Sequence, residues 1–191
     1  MSIFFTACPE NSEDALMWRL YQKWHPAIEK AVSGTDIDAE YMAAIISLES
    51  HPPGNADSSR FEAAVYRRLQ DLRDHGTAFG YISRSHVADL SDAELREYAT
   101  SHGLTQIMGY HCFRLKCTIE ELRSPDHLLW AIAYMQMSYK KAARKHDWES
   151  CFRVHNTGRP DGQTTRADYV TRGLQRMQYY HKWIERNGQL L

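Results

Sequence analysis

The chain carries no surplus of positive charge. Its 23 Lys and Arg residues are balanced by 24 Asp and Glu residues, which gives a formal net charge of −1 at pH 7. Proteins that bind a phosphate backbone neutralise it with clustered Lys and Arg, and they usually show an excess of these residues. We therefore expect that nucleic acid is not the main partner.

Long hydrophobic runs are also missing. No stretch of about 18 consecutive apolar residues, the length that crosses a bilayer as a helix, occurs in the sequence. The opening MSIFFTACPENSED has only a few adjacent apolar residues and no basic residue before them, unlike a secretory signal peptide. We expect neither a membrane span nor a signal peptide.

Cysteine is scarce, and its spacing fits no common metal or redox motif. The four cysteines form no Cys-x-x-Cys pair: Cys8, Cys112, Cys117 and Cys151. A chain of 191 residues buries enough apolar surface to fold without disulfides, so we expect reduced, partly buried thiols. Together with His102 and His111 they lack the close ligand spacing of structural zinc. We expect no metal ion and no cofactor.

Helical periodicity is what the sequence has in abundance. Apolar residues recur at helical spacing over residues 14–32, 37–49, 60–74, 91–101, 126–146, 148–155 and 166–187. Ser91 and Glu94 have the spacing of a capping box. The pattern fails between His75 and Asp89, where we expect a loop with at most a short strand. The length is that of one domain, residues 1–191, and the fold class predicted is mainly α.

Glu49 stands at the end of the second predicted helix, directly after the apolar turn AIISL. Removal from water disfavours the charged form of a carboxyl group, so a glutamate against an apolar wall is expected to hold its proton. A protonated carboxyl at neutral pH is what a general acid requires. The alternative is an ordinary exposed glutamate at a helix end.

Four segments occur in a recognisable order: IDAEYMAAIISLES, GLTQI, VHNTG and YVTRGLQRMQYY. This order resembles the motif set of the soluble lytic transglycosylases, whose domain is similar to goose-type lysozyme, and it covers roughly residues 37–180. The segments RFEAAVYRR, GLTQIMGYH and DWESCF also resemble the phage-type N-acetylmuramidases. Gly103 lies 54 positions after Glu49, and this spacing favours the muramidase relative for the middle of the chain.

The resemblance implies a lysozyme-like catalytic domain, with the helix in residues 1–34 packed on it. It implies cleavage of the β-1,4 bond between N-acetylmuramic acid and N-acetylglucosamine in peptidoglycan, with Glu49 as general acid and then base. A transglycosylase would release a 1,6-anhydro product and a muramidase a reducing sugar, and the sequence leaves both outcomes open. Export would then use a phage or a specialised secretion route, unless a leader has been removed.

The resemblance also nominates further site residues. The expected substrate-binding residues are Ser50, Gln106, Met108, Tyr110, His155 and Asn156. Gln106 is expected to present its amide, which both donates and accepts hydrogen bonds, to the glycan. His155 stands where the transglycosylase pattern has a tyrosine, and Thr157 where it usually has alanine. These departures keep a second hypothesis open, a non-catalytic peptidoglycan-binding or phage-structural module of the same fold.

A second carboxylate is less well defined by the sequence. Glu62 matches the muramidase Phe-Glu position, and it is expected either to act in the cleft or to pair with a neighbouring arginine. Asp57 is expected to be a solvated loop residue. Among the aromatic residues, Tyr66, Tyr81 and Tyr110 are the candidates for stacking on a sugar ring.

Overall fold

The computed structural model describes residues 12–51 and 53–188, so the predictions for the opening stretch and for Cys8 lie outside the described residues. The helices are α1 Glu13–Val32, α2 Ala39–Glu49, α3 Ala63–His75, α4 Asp92–Tyr98, α5 Cys112–Leu115, α6 Ile119–Arg123, α7 His127–Ala143, α8 Trp148–Thr157 and α9 Tyr169–Gly188. The strands are β1 Ser59–Phe61, β2 Thr100–His102 and β3 Ile107–Met108. The prediction of a mainly α fold is confirmed.

Several predicted boundaries were wrong. The helix expected from residue 60 begins at Ala63, because residues 59–61 form β1. The helix expected to end at residue 101 stops at Tyr98, and residues 100–102 form β2. Strands of two or three residues are too short to show an alternating pattern, which is why no sheet was expected from the sequence. The helices α5 and α6 were also missed, because helices of four and five residues are too short to show a helical period.

The described chain divides into two compact units. The first unit contains the described residues up to Gly54 together with those from Met135 onward, and the second contains Asn55–Tyr134. Within the described residues, no helix is both long and apolar enough to cross a membrane.

In the first unit, α2 is the buried helix on which the others pack. Its residues from Tyr41 to Ser47 are all buried, and α1 and α9 both contact it. The ring of Tyr41 lies 4.8 Å, between centroids, from each of the rings of Trp148 and Phe152 in α8. Because α2 is surrounded by apolar side chains, close packing fixes the position of this helix and of its last residue, Glu49.

The buried Arg176, which forms an ion pair with the half-buried Glu13, fixes the C-terminal part of α2 within this unit. Arg176 of α9 is buried, and it donates through one terminal nitrogen to the carbonyl oxygen of Ser47 at 2.7 Å. Its Nε lies 2.6 Å from Oε2 of Glu13, while Nε of Arg172 lies 3.0 Å from Oε1 of Glu13. Burial alone would raise the pKa of Glu13, but the hydrogen bonds and charges of the two arginines outweigh it and lower that pKa.

The second unit combines a small sheet with a helical core. Strands β1, β2 and β3 are antiparallel in that order, with Ser59 opposite His102 and Ser101 opposite Met108. The core contains Leu69 and other buried residues of α3, α4 and the loop between them: Leu72, Phe79, Ile82, Val87, Leu95 and Ala99. That loop has the irregular structure predicted for it, with one 3-10 turn at Arg84–His86.

Candidate active site

The carboxyl group of Glu49 is held by two elements of the first unit. Glu49 is the last residue of α2 and is half-buried, next to the fully buried Ile45 and Ile46. Tyr169, the first residue of α9 and only 3% exposed, donates its hydroxyl hydrogen to Oε1 of Glu49. The prediction that Glu49 ends a buried helix is confirmed.

This arrangement gives the two oxygens of Glu49 different roles. Oε1 accepts the hydrogen bond from the Tyr169 hydroxyl, so a proton carried by this carboxyl group would lie on Oε2. A hydroxyl that donates to a carboxylate stabilises its charged form, which is the form left after Glu49 gives up a proton. The pair can therefore release a proton to a bound group and hold the resulting charge.

Ser50 terminates α2 rather than facing outward. It is fully buried, and both its backbone N–H and its hydroxyl donate to the carbonyl oxygen of Ile46, at 3.1 and 2.9 Å. The next residue, His51, has a left-handed backbone with φ of 57°, which ends the helix. The single hydroxyl hydrogen of Ser50 is therefore used to fix the helix end that carries Glu49.

At Gly54, five residues after Glu49, the backbone lies close to side chains of α1 and α2. A Cβ atom at Gly54 would lie 2.7 Å from Nε1 of Trp24 and 2.9 Å from a methyl group of Ile46. Lys23 donates from Nζ to the carbonyl oxygen of Gly54 at 2.9 Å. Only glycine fits here, so the loop that follows Glu49 is held against α1 and α2.

His155 and Asn156 lie on α8 in different surroundings. His155 is half-buried, and its Nδ1 lies 3.2 Å from the hydroxyl oxygen of Tyr139. Tyr139 accepts in turn from the hydroxyl of the buried Tyr41 at 3.2 Å, and its backbone departs from helical geometry within α7. Asn156 is exposed. The hydrogen bond on Glu49 comes from Tyr169.

In the second unit, the side-chain amide of Gln106 is hydrogen-bonded to other residues of the same unit. Its Nε2 donates to the carbonyl oxygens of Ser58 at 3.0 Å and Gly103 at 2.9 Å, and its Oε1 accepts from the hydroxyl of Ser101 at 2.7 Å. These bonds accompany a left-handed backbone at Gln106, with φ of 51°. Both amide hydrogens are used internally, which leaves one lone pair of Oε1 for a ligand.

A buried histidine supports the same loop. Nε2 of His127 lies 3.1 Å from the backbone nitrogen of Thr105 and accepts its N–H, while Nδ1 lies 2.7 Å from the carbonyl oxygen of Leu122. The ring also fills the space at Gly103, where a Cβ atom would overlap it. His127 is buried, and it was not among the residues that the sequence nominated.

The remaining nominated residues of the second unit differ in exposure. Met108 and Tyr110 are both half-buried, and burial raises the pKa of Tyr110. The Tyr66 hydroxyl accepts from Gln70 at 3.1 Å. Tyr81 is 43% exposed, and its hydroxyl oxygen lies 2.8 Å from Nδ1 of His111. Of the three tyrosines proposed for sugar stacking, Tyr81 offers the most accessible ring.

Glu62 is engaged in an ion pair. Its Oε1 lies 2.6 Å from Nε of Arg60, with 34% and 73% of the two side chains exposed. This is the ion-pair alternative that the sequence had left open, and an exposed pair of this kind contributes about 0–1 kcal/mol. Asp57 is exposed, as expected, in a turn where its N–H donates to the side chain of Asn55.

The nominated residues thus belong to separate units. Glu49, Ser50, His155 and Asn156 lie in the first unit, and Glu62, Gln106, Met108 and Tyr110 in the second. No protein-family model, curated protein or solved structure matches this chain. Within residues 12–51 and 53–188, no three His, Cys, Asp or Glu side chains are grouped as a metal site.

Sequence reasoning missed Tyr169. It opens the segment YVTRGLQRMQYY, which contributed to the family resemblance, but no role was assigned to it. Glu49 and Tyr169 are 120 positions apart, so no local pattern pairs them. Its place at the start of a strongly periodic helix was the only signal that could have drawn attention to it.

Proposed function

We propose that this chain is a peptidoglycan-cleaving glycosidase with a lysozyme-like fold, and that it cuts the β-1,4 bond between N-acetylmuramic acid and N-acetylglucosamine. The order of the four motifs supports the family and the substrate. The observation that carries the catalytic assignment is the half-buried carboxyl of Glu49, placed at the end of a buried helix and bonded by the buried Tyr169.

In the first step of the proposed reaction, Oε2 of Glu49 gives its proton to the glycosidic oxygen as the bond from that oxygen to the muramoyl carbon breaks. The charge that develops on Glu49 is stabilised by the hydrogen bond from Tyr169 to Oε1. This contribution grows as the charge grows, so it lowers the barrier and not only the energy of the bound state.

In the second step, the Glu49 carboxylate acts as a base. It accepts a proton from water, which then adds to the muramoyl carbon and gives a reducing sugar, or from the 6-hydroxyl of the same muramoyl unit, which gives a 1,6-anhydro product. Each route returns Glu49 to its protonated form. Neither route requires a cofactor, and Glu62 is assigned no step because it is paired with Arg60.

A non-catalytic peptidoglycan-binding module of the same fold is the second candidate. It is favoured by the internal use of both amide hydrogens of Gln106, and by His155 where the related enzymes have tyrosine. Such a module would bind purified cell walls in a saturable manner and release no soluble fragments.

The test is mass spectrometry of the fragments released from purified peptidoglycan by the wild-type protein and by Glu49→Gln. Glutamine keeps the size of the side chain and accepts the Tyr169 hydrogen bond, but it has no proton to transfer. Exposed Glu149 on α8 supplies a matched control, Glu149→Gln, which should release fragments like the wild type.

We expect release by the wild type and a loss of at least about 1,000-fold in Glu49→Gln, the upper part of the range for acid–base catalysis. Anhydro-muropeptides would identify a transglycosylase, and reducing muropeptides a muramidase. Equal release by Glu49→Gln and the wild type would reject the assignment of Glu49. Saturable binding without release by the wild type would favour the binding module.

A further inference from the structure

The short helix α5 ends in a turn that folds the chain back on itself. Lys116 has a left-handed backbone with φ of 58°, and its N–H donates to the carbonyl oxygen of Cys112 at 2.8 Å. The N–H of Cys117 donates to the same oxygen at 3.3 Å. This bonding pattern is that of a helix C-terminus closed by a left-handed residue, in which the side chains that correspond to Cys112 and Cys117 meet.

The turn brings the two cysteines next to each other, close enough for each thiol to shift the pKa of the other. The Cys112 thiol donates its hydrogen to the carbonyl oxygen of Thr118, with 3.6 Å between Sγ and that oxygen. Cys112 is 2% exposed, whereas Cys117 is half-buried and open to reagents. A disulfide requires that the Cβ atoms of its two cysteines lie close together, and the turn places these two residues side by side.

We propose that Cys112 and Cys117 form a redox modification site, in which an external disulfide converts the two thiols into an intrachain disulfide. The oxidant is of the low-molecular-mass disulfide class, and glutathione disulfide is the probe. The site does not depend on the proposed glycosidase activity, because it lies in the turn after α5 and uses none of the residues assigned to catalysis.

The exchange proceeds in two balanced steps. The Cys117 thiol loses its proton to solvent, and its sulfur attacks one sulfur of glutathione disulfide; the S–S bond breaks, and one glutathione leaves as a thiolate that takes up a proton. The Cys112 thiol then loses its proton and attacks the Cys117 sulfur of the mixed disulfide, which expels the second glutathione. The protein loses two hydrogens and two electrons, and the oxidant becomes two thiols.

The surroundings of the two sulfurs set the order of attack. Burial raises the pKa of both thiols, so the exchange is slow at neutral pH and faster in alkali. Cys117 is half-buried, whereas Cys112 is only 2% exposed, so an external disulfide reaches the Cys117 sulfur first. Cys117 is therefore the attacking thiol, and Cys112 resolves the mixed disulfide.

The experiment treats the folded, full-length chain with glutathione disulfide at mildly alkaline pH, and follows it by intact mass and by peptide mapping without reduction. We expect the wild type to lose the mass of two hydrogens and to yield one internal bond between Cys112 and Cys117. Cys151 is buried elsewhere, in α8, so Cys151→Ser should behave like the wild type. The oxidised protein should show a higher Tm than the reduced one, because the bond restricts the unfolded chain.

Two single variants test the order of attack. Cys112→Ser should retain one glutathione on Cys117, because the resolving thiol is gone. Cys117→Ser should stay unmodified at Cys112 while folded, and should react once denaturant exposes that thiol. Circular dichroism checks that each variant is folded. Peptide mapping of the wild type tests the disulfide even if a variant does not fold.

Three results would overturn the proposal. These are a glutathione that persists on Cys117 of the wild type, a disulfide that joins either cysteine to Cys8 or Cys151, and a wild-type dithiol unchanged under conditions that oxidise the same chain in denaturant.

Discussion

Among the glutamates of residues 12–51 and 53–188, Glu49 differs from the others in its hydrogen bond with Tyr169. Glu62 pairs with an exposed arginine, and Glu94 caps a helix by accepting from Ser91. Glu49 instead accepts from a buried tyrosine, with the apolar residues of α2 behind it. A donor of this kind contributes most when the carboxyl becomes charged.

Removing that donor should slow catalysis without unfolding the protein. For Tyr169→Phe we expect kcat to fall about 10- to 100-fold, because a hydrogen bond to a charged group is worth about 1.5–3 kcal/mol. KM should change little, since the bond is made to the protein's own carboxyl group and not to the substrate. The measurement is the initial rate of fragment release from purified peptidoglycan.

The matched control is Tyr179→Phe on the same helix, whose hydroxyl accepts from Gln175 at 3.4 Å. It should keep the wild-type rate. If Tyr169→Phe also keeps that rate while remaining folded, the hydrogen bond to Glu49 has no part in catalysis.

Gly103 lies in the GLTQI loop under two constraints, a left-handed φ of 75° and contact with the His127 ring. Gly103→Ala should lower the free energy of unfolding by about 2–5 kcal/mol, because a left-handed backbone costs a side chain about 1–2 kcal/mol and overpacking costs about 1–3 kcal/mol. Gly80 in the same unit is also left-handed, but a Cβ atom added there would meet no other atom within 4 Å. Gly80→Ala should therefore cost only about 1–2 kcal/mol.

Urea unfolding of the two alanine variants separates the two costs. The difference between them measures the contact of Gly103 with His127, as distinct from the shared backbone cost. Equal destabilisation by both substitutions would mean that the His127 ring moves aside freely, and that it does not hold the loop.

Among the helical elements, α1, α2 and α9 are joined by the Glu13 carboxylate and two arginines of α9. Arg176 is buried, so it needs a charged partner, and Glu13 supplies one. The same guanidinium donates to the carbonyl of Ser47, two residues before Glu49. Packing of helices distant in sequence thus determines where the candidate acid lies.

Breaking this pair should destabilise the first unit. For Glu13→Gln we expect a loss of about 2–4 kcal/mol in the free energy of unfolding at pH 7, because a buried charge is left without its partner. In the control Arg159→Gln, the lost ion pair with Asp161 has side chains that are 73% and 72% exposed, and the cost should stay within about 0.5 kcal/mol.

The pH dependence of this loss follows from the lowered pKa of Glu13. A carboxyl whose pKa is lower in the folded state contributes its full stabilisation above its unfolded pKa, about 4.3, and loses it as the pH falls through the folded value. The difference in the free energy of unfolding between the wild type and Glu13→Gln, measured by urea unfolding, should therefore become smaller below about pH 4. A gap that stays constant down to about pH 2.5 would contradict this role.

Helix caps show how much an element's own sequence reveals. The capping box predicted at Ser91 and Glu94 is confirmed, and it starts α4 where expected. A similar box at Thr118 and Glu121 starts α6 and could have predicted that helix. The end of α4 was misplaced because residues 100–102 pair with β1 and β3, and a strand so short depends on partners that local sequence does not specify.

For the molecule as a whole, the balance of charge governs behaviour in solution. The net charge at pH 7 is −1 and the isoelectric point is about 6.8, so molecules of this protein repel one another weakly near neutral pH. The chain has ten histidines, the residue type that ordinarily gains positive charge between about pH 8 and pH 5.

Solubility in dilute buffer should pass through a minimum near the isoelectric point. It should rise again by about pH 5.5, where protonated histidines give the molecule a net positive charge. Light scattering of the purified protein across the pH range measures this, with the same series in about 0.15 M salt as the control for charge repulsion. A solubility that is flat across the range would show that net charge does not control association.

Local sequence was enough to predict the helical fold class, most of the helices and the position of Glu49 at the end of an apolar one. These features depend on periodicity and on caps, which are set by residues within about four positions of one another. Tertiary packing, in contrast, made Tyr169 the partner of Glu49, bonded the Gln106 amide to the carbonyl oxygen of Ser58, and formed a sheet within residues 59–108. Those contacts join segments up to 120 positions apart. They form because a buried polar group needs a hydrogen-bond partner, and folding supplies that partner from a distant part of the chain.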